Sequence, residues 1–199
     1  MTPRNTRALL VLGAFLAGLA LCFAIVLLVT ERAPVLKAPQ SAAIGGPFRL
    51  TDQDGRTVTE QDFRGRPFLV FFGFTHCPDV CPTTLFEVSE IIRNLGPDAE
   101  RLRAVFITVD PERDTPAALK DYLSSFDPHL SALTGDQAAI ASVAKEYRVY
   151  YKKVPLEQGR YTMDHTAIIY LMDKEGQFVS PFNIKRPTEA AAADLRKYL

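Results

Sequence analysis

The 199-residue chain has no net charge, no tryptophan, and only three cysteines and three histidines. Its 23 Lys and Arg balance 23 Asp and Glu, so no basic field is present to attract nucleic acid, and we expect no such partner. The cysteines are too few for an iron–sulfur cluster held by four thiolates. Because sulfur and imidazole groups are scarce, their positions carry the functional signal.

A long uncharged run stands near the N-terminus, at residues 8–30 (ALLVLGAFLAGLALCFAIVLLVT). A helix of that length reaches about 35 Å, enough to cross a bilayer core. The apolar region of a secretory signal spans only about 7–15 residues, and Leu21 before Cys22 does not fit a lipid-attachment site. We therefore predict an uncleaved transmembrane helix within residues 1–30, with Cys22 as one more apolar side chain in lipid.

Residues 31–47, with three prolines and two glycines, predict a flexible tether, and residues 48–199 the folded domain. The domain opens with a hairpin whose turn is Asp54-Gly55. Apolar runs and helical spacings then alternate, and a second strand pair and a last helix follow. This order predicts a three-layer α/β domain of thioredoxin type. The predicted segments are PFLVFFGF, RAVFITVD, HTAIIYLMD and QFVSPF as strands, and TTLFEVSEIIRNLG, TPAALKDYLSSF, DQAAIASVAKEY and TEAAAADLRKYL as helices.

Two cysteines lie in FFGFTHCPDVCP, residues 71–82, and each is followed by proline. A residue before proline avoids helical angles, so we expect a loop after a buried strand, with Cys81 as a helix N-cap and Pro82 at the first helical position. The helix dipole would then lower the pKa of the Cys81 thiol. A redox disulfide, a metal site and a pair of buried structural thiols all remain open.

Each histidine is a candidate third donor. His76 adjoins Cys77, but neighbours on an extended segment point to opposite faces. His129 lies in a polar connection, which indicates a solvated surface residue. His165 stands at the mouth of an apolar strand that would lie by the cysteine loop if it pairs near FLVFFGF; from position alone a structural role is favoured. The run DPERDTP, residues 110–116, indicates a strand exit, a turn and a helix start, with partner docking as the lesser alternative.

The segments GFTHCPDVCP, VDPERDTP and MDHTAIIYL, in this order and spacing, resemble the Sco family of copper proteins (SenC or PrrC type) over residues 48–199. The resemblance implies a thioredoxin-like domain of the peroxiredoxin-like branch. It also implies that Cys77, Cys81 and His165 bind one copper, as Cu(I) or Cu(II). Soft thiolates select Cu(I) and imidazole suits both states, whereas structural zinc normally takes four protein ligands. The roles of Asp79 and Asp164 stay open, although Asp164 is expected to orient His165 or cap the strand end.

The resemblance implies a membrane-tethered chaperone that delivers copper to the dinuclear copper site of cytochrome c oxidase subunit II by ligand exchange. In one alternative, Cys77 and Cys81 are the redox pair of a thiol–disulfide oxidoreductase that reduces the recipient's cysteines; in another, the protein is a redox or copper sensor. Whether it is an enzyme stays open. Other periplasmic copper chaperones or thiol reductants are further candidate partners.

We expect a single-pass protein of a bacterial inner membrane with its domain in the periplasm. The alternative is a mitochondrial inner membrane, with the domain facing the intermembrane space, because both membranes give the same topology. No long Arg- and Ser-rich transit segment precedes the anchor, which favours the bacterial location.

Overall fold

The computed structural model describes residues 15–25 and 44–199. Residues 15–25 are helical and their side chains are exposed. The rest of the predicted anchor, and residues 31–43 of the predicted tether, lie outside the described residues. Among the helices in the two described ranges, none is both long and apolar enough to span a bilayer. The transmembrane helix therefore stays a prediction.

The domain is built on a mixed seven-stranded sheet in the order β2-β1-β5-β4-β3-β8-β9. Strands β3, β4 and β5 are parallel neighbours, and the other pairings are antiparallel. Two further strands, β6 and β7, form a separate two-stranded ladder. The strands are β1 Arg49–Asp52, β2 Thr57–Thr59, β3 Phe68–Gly73, β4 Arg103–Thr108, β5 Leu130–Thr134, β6 Tyr151–Pro155, β7 Tyr161–His165, β8 Ile169–Met172 and β9 Phe178–Pro181.

Helices follow the central strands, as the alternating pattern predicts. They are α1 Val80–Leu95, α2 Pro116–Leu123, α3 Gln137–Glu146 and α4 Thr188–Leu195. The predicted cap of α2 is confirmed, since the Thr115 hydroxyl accepts a hydrogen bond from the Ala118 N–H and Pro116 is the first helical residue. Helices α1 and α4 pack against each other. The mixed α/β class predicted from the sequence is confirmed.

Strand β3 sets the position of the cysteine loop. All six of its residues are buried, between parallel β4 on one side and antiparallel β8 on the other. Buried on both faces, such a strand reads as a continuous apolar run, which is why the sequence identified it. Its register pairs Phe71 with Ile169, so the segment before β8 arrives beside the end of β3, where the loop begins.

Two details of the sequence interpretation are wrong. Helix α1 begins at Val80 with Asp79 as its N-cap, so Cys81 lies inside the first turn and Pro82 is the third helical residue. Proline is tolerated there because the first four N–H groups of a helix have no partner within the helix. The run from His165 to Asp173 is not one strand either: His165 ends β7, and β8 begins only at Ile169.

Gly73, the last residue of β3, allows the strand to approach α1 closely. A Cβ atom there would lie 2.7 Å from the Cys81 Sγ and 2.6 Å from the Phe106 Cε2. Gly73→Ala is therefore expected to lower the free energy of unfolding by about 1–3 kcal/mol through overpacking. Urea unfolding of the full chain measures the loss.

Gly135→Ala is the matched control, because its new Cβ atom would meet only the side-chain atoms Leu50 Cδ2 at 3.0 Å and Ala139 Cβ at 3.2 Å. Its unfolding midpoint should fall less than that of Gly73→Ala. Equal midpoints for Gly73→Ala and the unaltered chain would contradict the packing argument.

Candidate metal centre

The cysteine loop joins β3 to α1 and carries both sulfurs at the helix start. Neither sulfur is in a disulfide; Cys77 is partly buried, whereas Cys81 is fully buried. The Cys81 N–H donates a hydrogen bond to the Cys77 Sγ at 3.4 Å. One N–H of the first helical turn thus finds its partner in a sulfur. The sequence suggested that the start of the helix would stabilise the sulfur of Cys81. In the structure, the hydrogen bond goes to the sulfur of Cys77 instead.

Burial decides the chemistry of Cys81. Its side chain lies in the core beside β3, and desolvation raises the pKa of the Cys81 thiol well above its ordinary value. The prediction of a lowered pKa at a helix N-cap is therefore wrong, because the helix begins two residues earlier than predicted and Cys81 lies within it. Cys77, packed against the core but partly exposed, is the more accessible sulfur.

His165 turns its ring toward the buried cysteine. Its Nδ1 lies 3.0 Å from the Thr166 carbonyl oxygen, which can only accept, so Nδ1 carries the proton and donates. The other ring nitrogen, Nε2, faces the Cys81 Sγ at 3.8 Å. The rings of Phe71 and Phe74 meet the imidazole edge-on, with centroid distances of 6.5 and 5.7 Å. The Nδ1 hydrogen bond thus fixes the ring so that Nε2, the nitrogen left free to bind a metal ion, is directed at a sulfur.

The sulfur–nitrogen separation suits two ligands of one metal ion. With bonds of about 2.3 Å to sulfur and about 2.0 Å to nitrogen, as for Zn²⁺, and an angle near 120°, two such donors lie about 3.7 Å apart. Within residues 15–25 and 44–199, however, no three His, Cys, Asp or Glu side chains already surround a common point. The structure therefore brings Cys81 and His165 together, and Cys77 as the third ligand stays a prediction.

The other two histidines lie elsewhere. The exposed His76 has its Nδ1 3.0 Å from the Thr75 hydroxyl. His129 is half-buried rather than fully solvated, and its Nδ1 donates to the Asp127 carboxylate at 2.7 Å. That contact, opposed in part by desolvation, raises the pKa of His129. Neither ring makes a hydrogen bond with a cysteine in the described part of the chain, in agreement with the sequence interpretation.

Asp164 does not orient His165 as the sequence suggested. Asp164 is exposed and follows the strand alternation, so its side chain points away from the face of His165. The Thr166 carbonyl, not the Asp164 carboxylate, orients the imidazole. Asp79 lies at the N-cap of α1, where its carboxylate accepts from the Thr83 hydroxyl at 3.4 Å.

Asp114 fixes the start of the cysteine loop, a role the sequence did not reveal. Its buried carboxylate accepts from the Thr75 N–H at 3.0 Å, the Thr75 hydroxyl at 2.6 Å and the Thr108 hydroxyl at 2.5 Å. Thr75 precedes Cys77 by two residues, so this carboxylate ties the loop to the end of β4. The run DPERDTP was visible as a motif, but its partners are distant in sequence.

The burial difference between the sulfurs predicts unequal reactivity. When the reduced full chain meets iodoacetamide at pH 7, Cys77 should be alkylated first, whereas Cys81 is inaccessible and its raised pKa keeps it protonated. Mass spectrometry of peptides after brief labelling measures both sites. Cys81 should react at a comparable rate only after unfolding in urea; equal rates in the folded chain would contradict this assignment.

Comparison with known proteins reveals close relatives. A family model described as SCO1/SenC matches residues 36–199. Protein SCO2 homolog, mitochondrial, of Bos taurus is 41% identical over 167 residues, which make up 82% of this chain and 63% of that protein. The chain spans 48% to 66% of the length of the three mitochondrial relatives compared.

Solved structures give the same result. The structure of Bradyrhizobium japonicum ScoI with copper bound is 66% identical, has a TM-score of 0.77, and covers 79% of this chain and 100% of its own. A more distant structure, of a Sco family cytochrome c oxidase assembly protein with a disulfide switch, is 25% identical with a TM-score of 0.61; it covers 81% of this chain and 96% of its own. The predicted thioredoxin-like fold is confirmed, and the chain belongs to the SCO1/SenC family.

Proposed function

We propose that this protein binds copper through Cys77, Cys81 and His165 and delivers it to the dinuclear copper site of cytochrome c oxidase subunit II. The observation that carries the proposal is the 3.8 Å approach of the His165 Nε2 to the Cys81 Sγ, with the Nδ1 proton held by a carbonyl. Two sulfurs and one imidazole are a donor set that suits copper. The copper-bound ScoI structure and the Sco oxidase assembly protein among the relatives support it.

Transfer would proceed by ligand exchange. An incoming thiolate or imidazole of the recipient joins the copper, a donor of this chain leaves, and the ion passes across without becoming free. The partly exposed Cys77 is the donor best placed to be replaced first. The apolar side chains of Val80 and Ile168, which are 47% and 40% exposed, lie next to the cysteines and close to His165 in sequence and offer contact area to a docking partner.

Residues 8–30 would anchor the protein in a bacterial inner membrane, with the domain in the periplasm. A mitochondrial inner membrane, with the domain in the intermembrane space, is the alternative, and relatives of both origins are found. A flexible tether at residues 31–47 would keep the domain at high effective concentration near a membrane-bound recipient.

A thiol–disulfide exchange function is the second candidate. The 3.4 Å contact of the Cys81 N–H with the Cys77 Sγ places two reduced cysteines side by side, and one solved relative carries a disulfide switch. In this role the pair would reduce a disulfide between the recipient's cysteines and itself become a disulfide. A redox or copper sensor would use the same residues.

Replacing His165 separates the two roles. His165→Ala should abolish tight Cu(I) binding, because the nitrogen donor is lost, but should leave disulfide exchange by Cys77 and Cys81 intact. Metal analysis after gel filtration and the rate of reaction with a small aromatic disulfide measure the two properties. In bacterial cells that lack their own Sco protein, the variant should also fail to restore cytochrome c oxidase.

His76→Ala is the matched control, since this imidazole adjoins the same motif but bonds to Thr75. It should bind copper and restore the oxidase as the unaltered chain does. Restoration of the oxidase by His165→Ala would remove the main support for copper delivery and favour the thiol role.

Copper affinity should rise with pH. The raised pKa of Cys81 keeps its thiol protonated through neutral pH, so binding must displace that proton. Each displaced proton makes the apparent affinity rise about tenfold per pH unit below the pKa of the group. Competition with a chromophoric Cu(I) chelator between pH 6 and 8 measures the slope. In Cys81→Ser one proton fewer is displaced, so the slope of the logarithm of affinity against pH should fall by about one. An unchanged slope would contradict the role of this thiol.

A further inference from the structure

We propose that the turn Asp110–Asp114 aligns His165 with the buried cysteine by clamping the β6–β7 hairpin through Tyr161. The inference rests on the proposed copper function. It assigns Asp110, Arg113 and Tyr161 as positioning residues that never touch the ion.

The hairpin that carries His165 needs such a device. In the described part of the chain, no backbone ladder joins β6 or β7 to the seven-stranded sheet. The hairpin packs on the core through apolar and aromatic side chains, chiefly Tyr151, Tyr161 and Met163. Apolar contact is non-directional and does not by itself fix the angle of an element. Directional polar contacts are required to hold the ring of His165 within bonding distance of a metal ion.

Three residues provide these contacts in a closed set. The Tyr161 hydroxyl donates to the Asp110 Oδ1 at 2.9 Å, and the Arg113 Nη1 donates to the Tyr161 carbonyl at 3.2 Å. The Arg113 Nε donates to the Asp110 Oδ2, which closes the set. The Arg113 guanidinium also lies over the Tyr161 ring, 3.8 Å from its centroid. Tyr161 is thus held by its backbone, its ring and its hydroxyl at once.

Burial makes this set costly to break. Asp110 is only 3% exposed and the Arg113 side chain 22% exposed, so each loses hydration that only its hydrogen bonds replace. Desolvation and the bond to Asp110 raise the pKa of Tyr161 to about 12, so its hydroxyl remains a donor at physiological pH. A second contact joins the turn to the hairpin, the ion pair of Glu112 with Lys153 of β6, but both side chains are exposed and the pair contributes little to the position of the hairpin.

Strand β7 connects the clamped residue, Tyr161, to the proposed metal ligand, His165. Every second residue of β7 lies on one face of the strand, and that face carries Tyr161, Met163 and His165. At the usual rise of a strand, Tyr161 lies about 13 Å from His165. A change of tilt at the clamped end therefore moves the imidazole. Arg113 also lies 5.8 Å from the Phe74 ring, which packs edge-on against His165.

The same turn holds the other half of the donor set. Asp114, four residues after Asp110, fixes Thr75 at the start of the cysteine loop. One short turn therefore binds the cysteine loop at one end and the histidine hairpin at the other. This placement explains why the two aspartates of the run DPERDTP, Asp110 and Asp114, are buried although Glu112 between them is exposed.

Tyr161→Phe tests the clamp, because it removes the hydroxyl and keeps the ring over Arg113. In the full chain with Cys22→Ser, Cu(I) affinity measured by chelator competition should fall about 10- to 100-fold, as for groups that orient metal ligands. Amide hydrogen exchange in β6 and β7 of the copper-free chain should accelerate. Asp110→Asn, which impairs the same acceptor, should act in the same direction on both measurements.

Tyr150→Phe is the matched control. Its side chain is 56% exposed, and its hydroxyl has no hydrogen bond among the described residues. It should leave both measurements unchanged. A Tyr161→Phe variant with full Cu(I) affinity and unchanged exchange would overturn the clamp.

A double-mutant cycle with His165→Ala distinguishes positioning from general destabilisation. If the clamp acts through the imidazole, Tyr161→Phe should cause no further loss of affinity once His165 is absent. An equal loss in both backgrounds would overturn the proposal. If His165→Ala itself leaves Cu(I) affinity unchanged, the proposed function fails and the clamp with it; if only Tyr161→Phe is without effect, the clamp alone fails.

Discussion

The buried carboxylate of Asp114 is the constraint on which the site depends. A charged group in the core is tolerated only when its hydrogen bonds are satisfied, and here Thr75 and Thr108 satisfy them. The cost of leaving that carboxylate unpaired ties the cysteine loop to the end of β4. Because the loop is fixed at Thr75 and α1 starts at Val80, the short segment between them has little freedom. The contacts of Asp114 therefore limit the positions that the two sulfurs can take.

The two cysteines differ in environment, although each is followed by proline in the sequence. Cys81 packs against Gly73 in the core and faces the imidazole, whereas Cys77 lies at the surface end of the loop. A buried sulfur paired with a fixed imidazole favours retention of a soft metal ion, while an accessible sulfur favours exchange with a partner. This asymmetry suits the proposed function, in which the protein both holds copper and releases it.

Much of the secondary structure of the domain could be predicted because it follows from short-range sequence patterns. The apolar run of β3, the Thr115-Pro116 start of α2 and the Asp54-Gly55 turn each follow from short-range preferences, and each is present. The β6–β7 hairpin was missed, since its strands alternate weakly and only one of their residues is fully buried. The pKa direction of Cys81 was wrong because a shift of two residues in the helix start moves that side chain from the cap into the core.

The sequence by itself determined the chemical inventory: two cysteines in a proline-bounded loop, a histidine far along the chain and a scaffold of alternating strands and helices. Local patterns determine these features because they depend on neighbouring residues. Only the tertiary structure decided which sulfur is buried, that the Thr166 carbonyl orients His165, and that Asp110 and Asp114 contact both halves of the site. The Thr166 contact is between neighbours, but its effect on the site depends on where the ring then lies. That position depends on the register of β3 against β8, and the other contacts join residues 39 to 84 positions apart, which no short window of sequence contains.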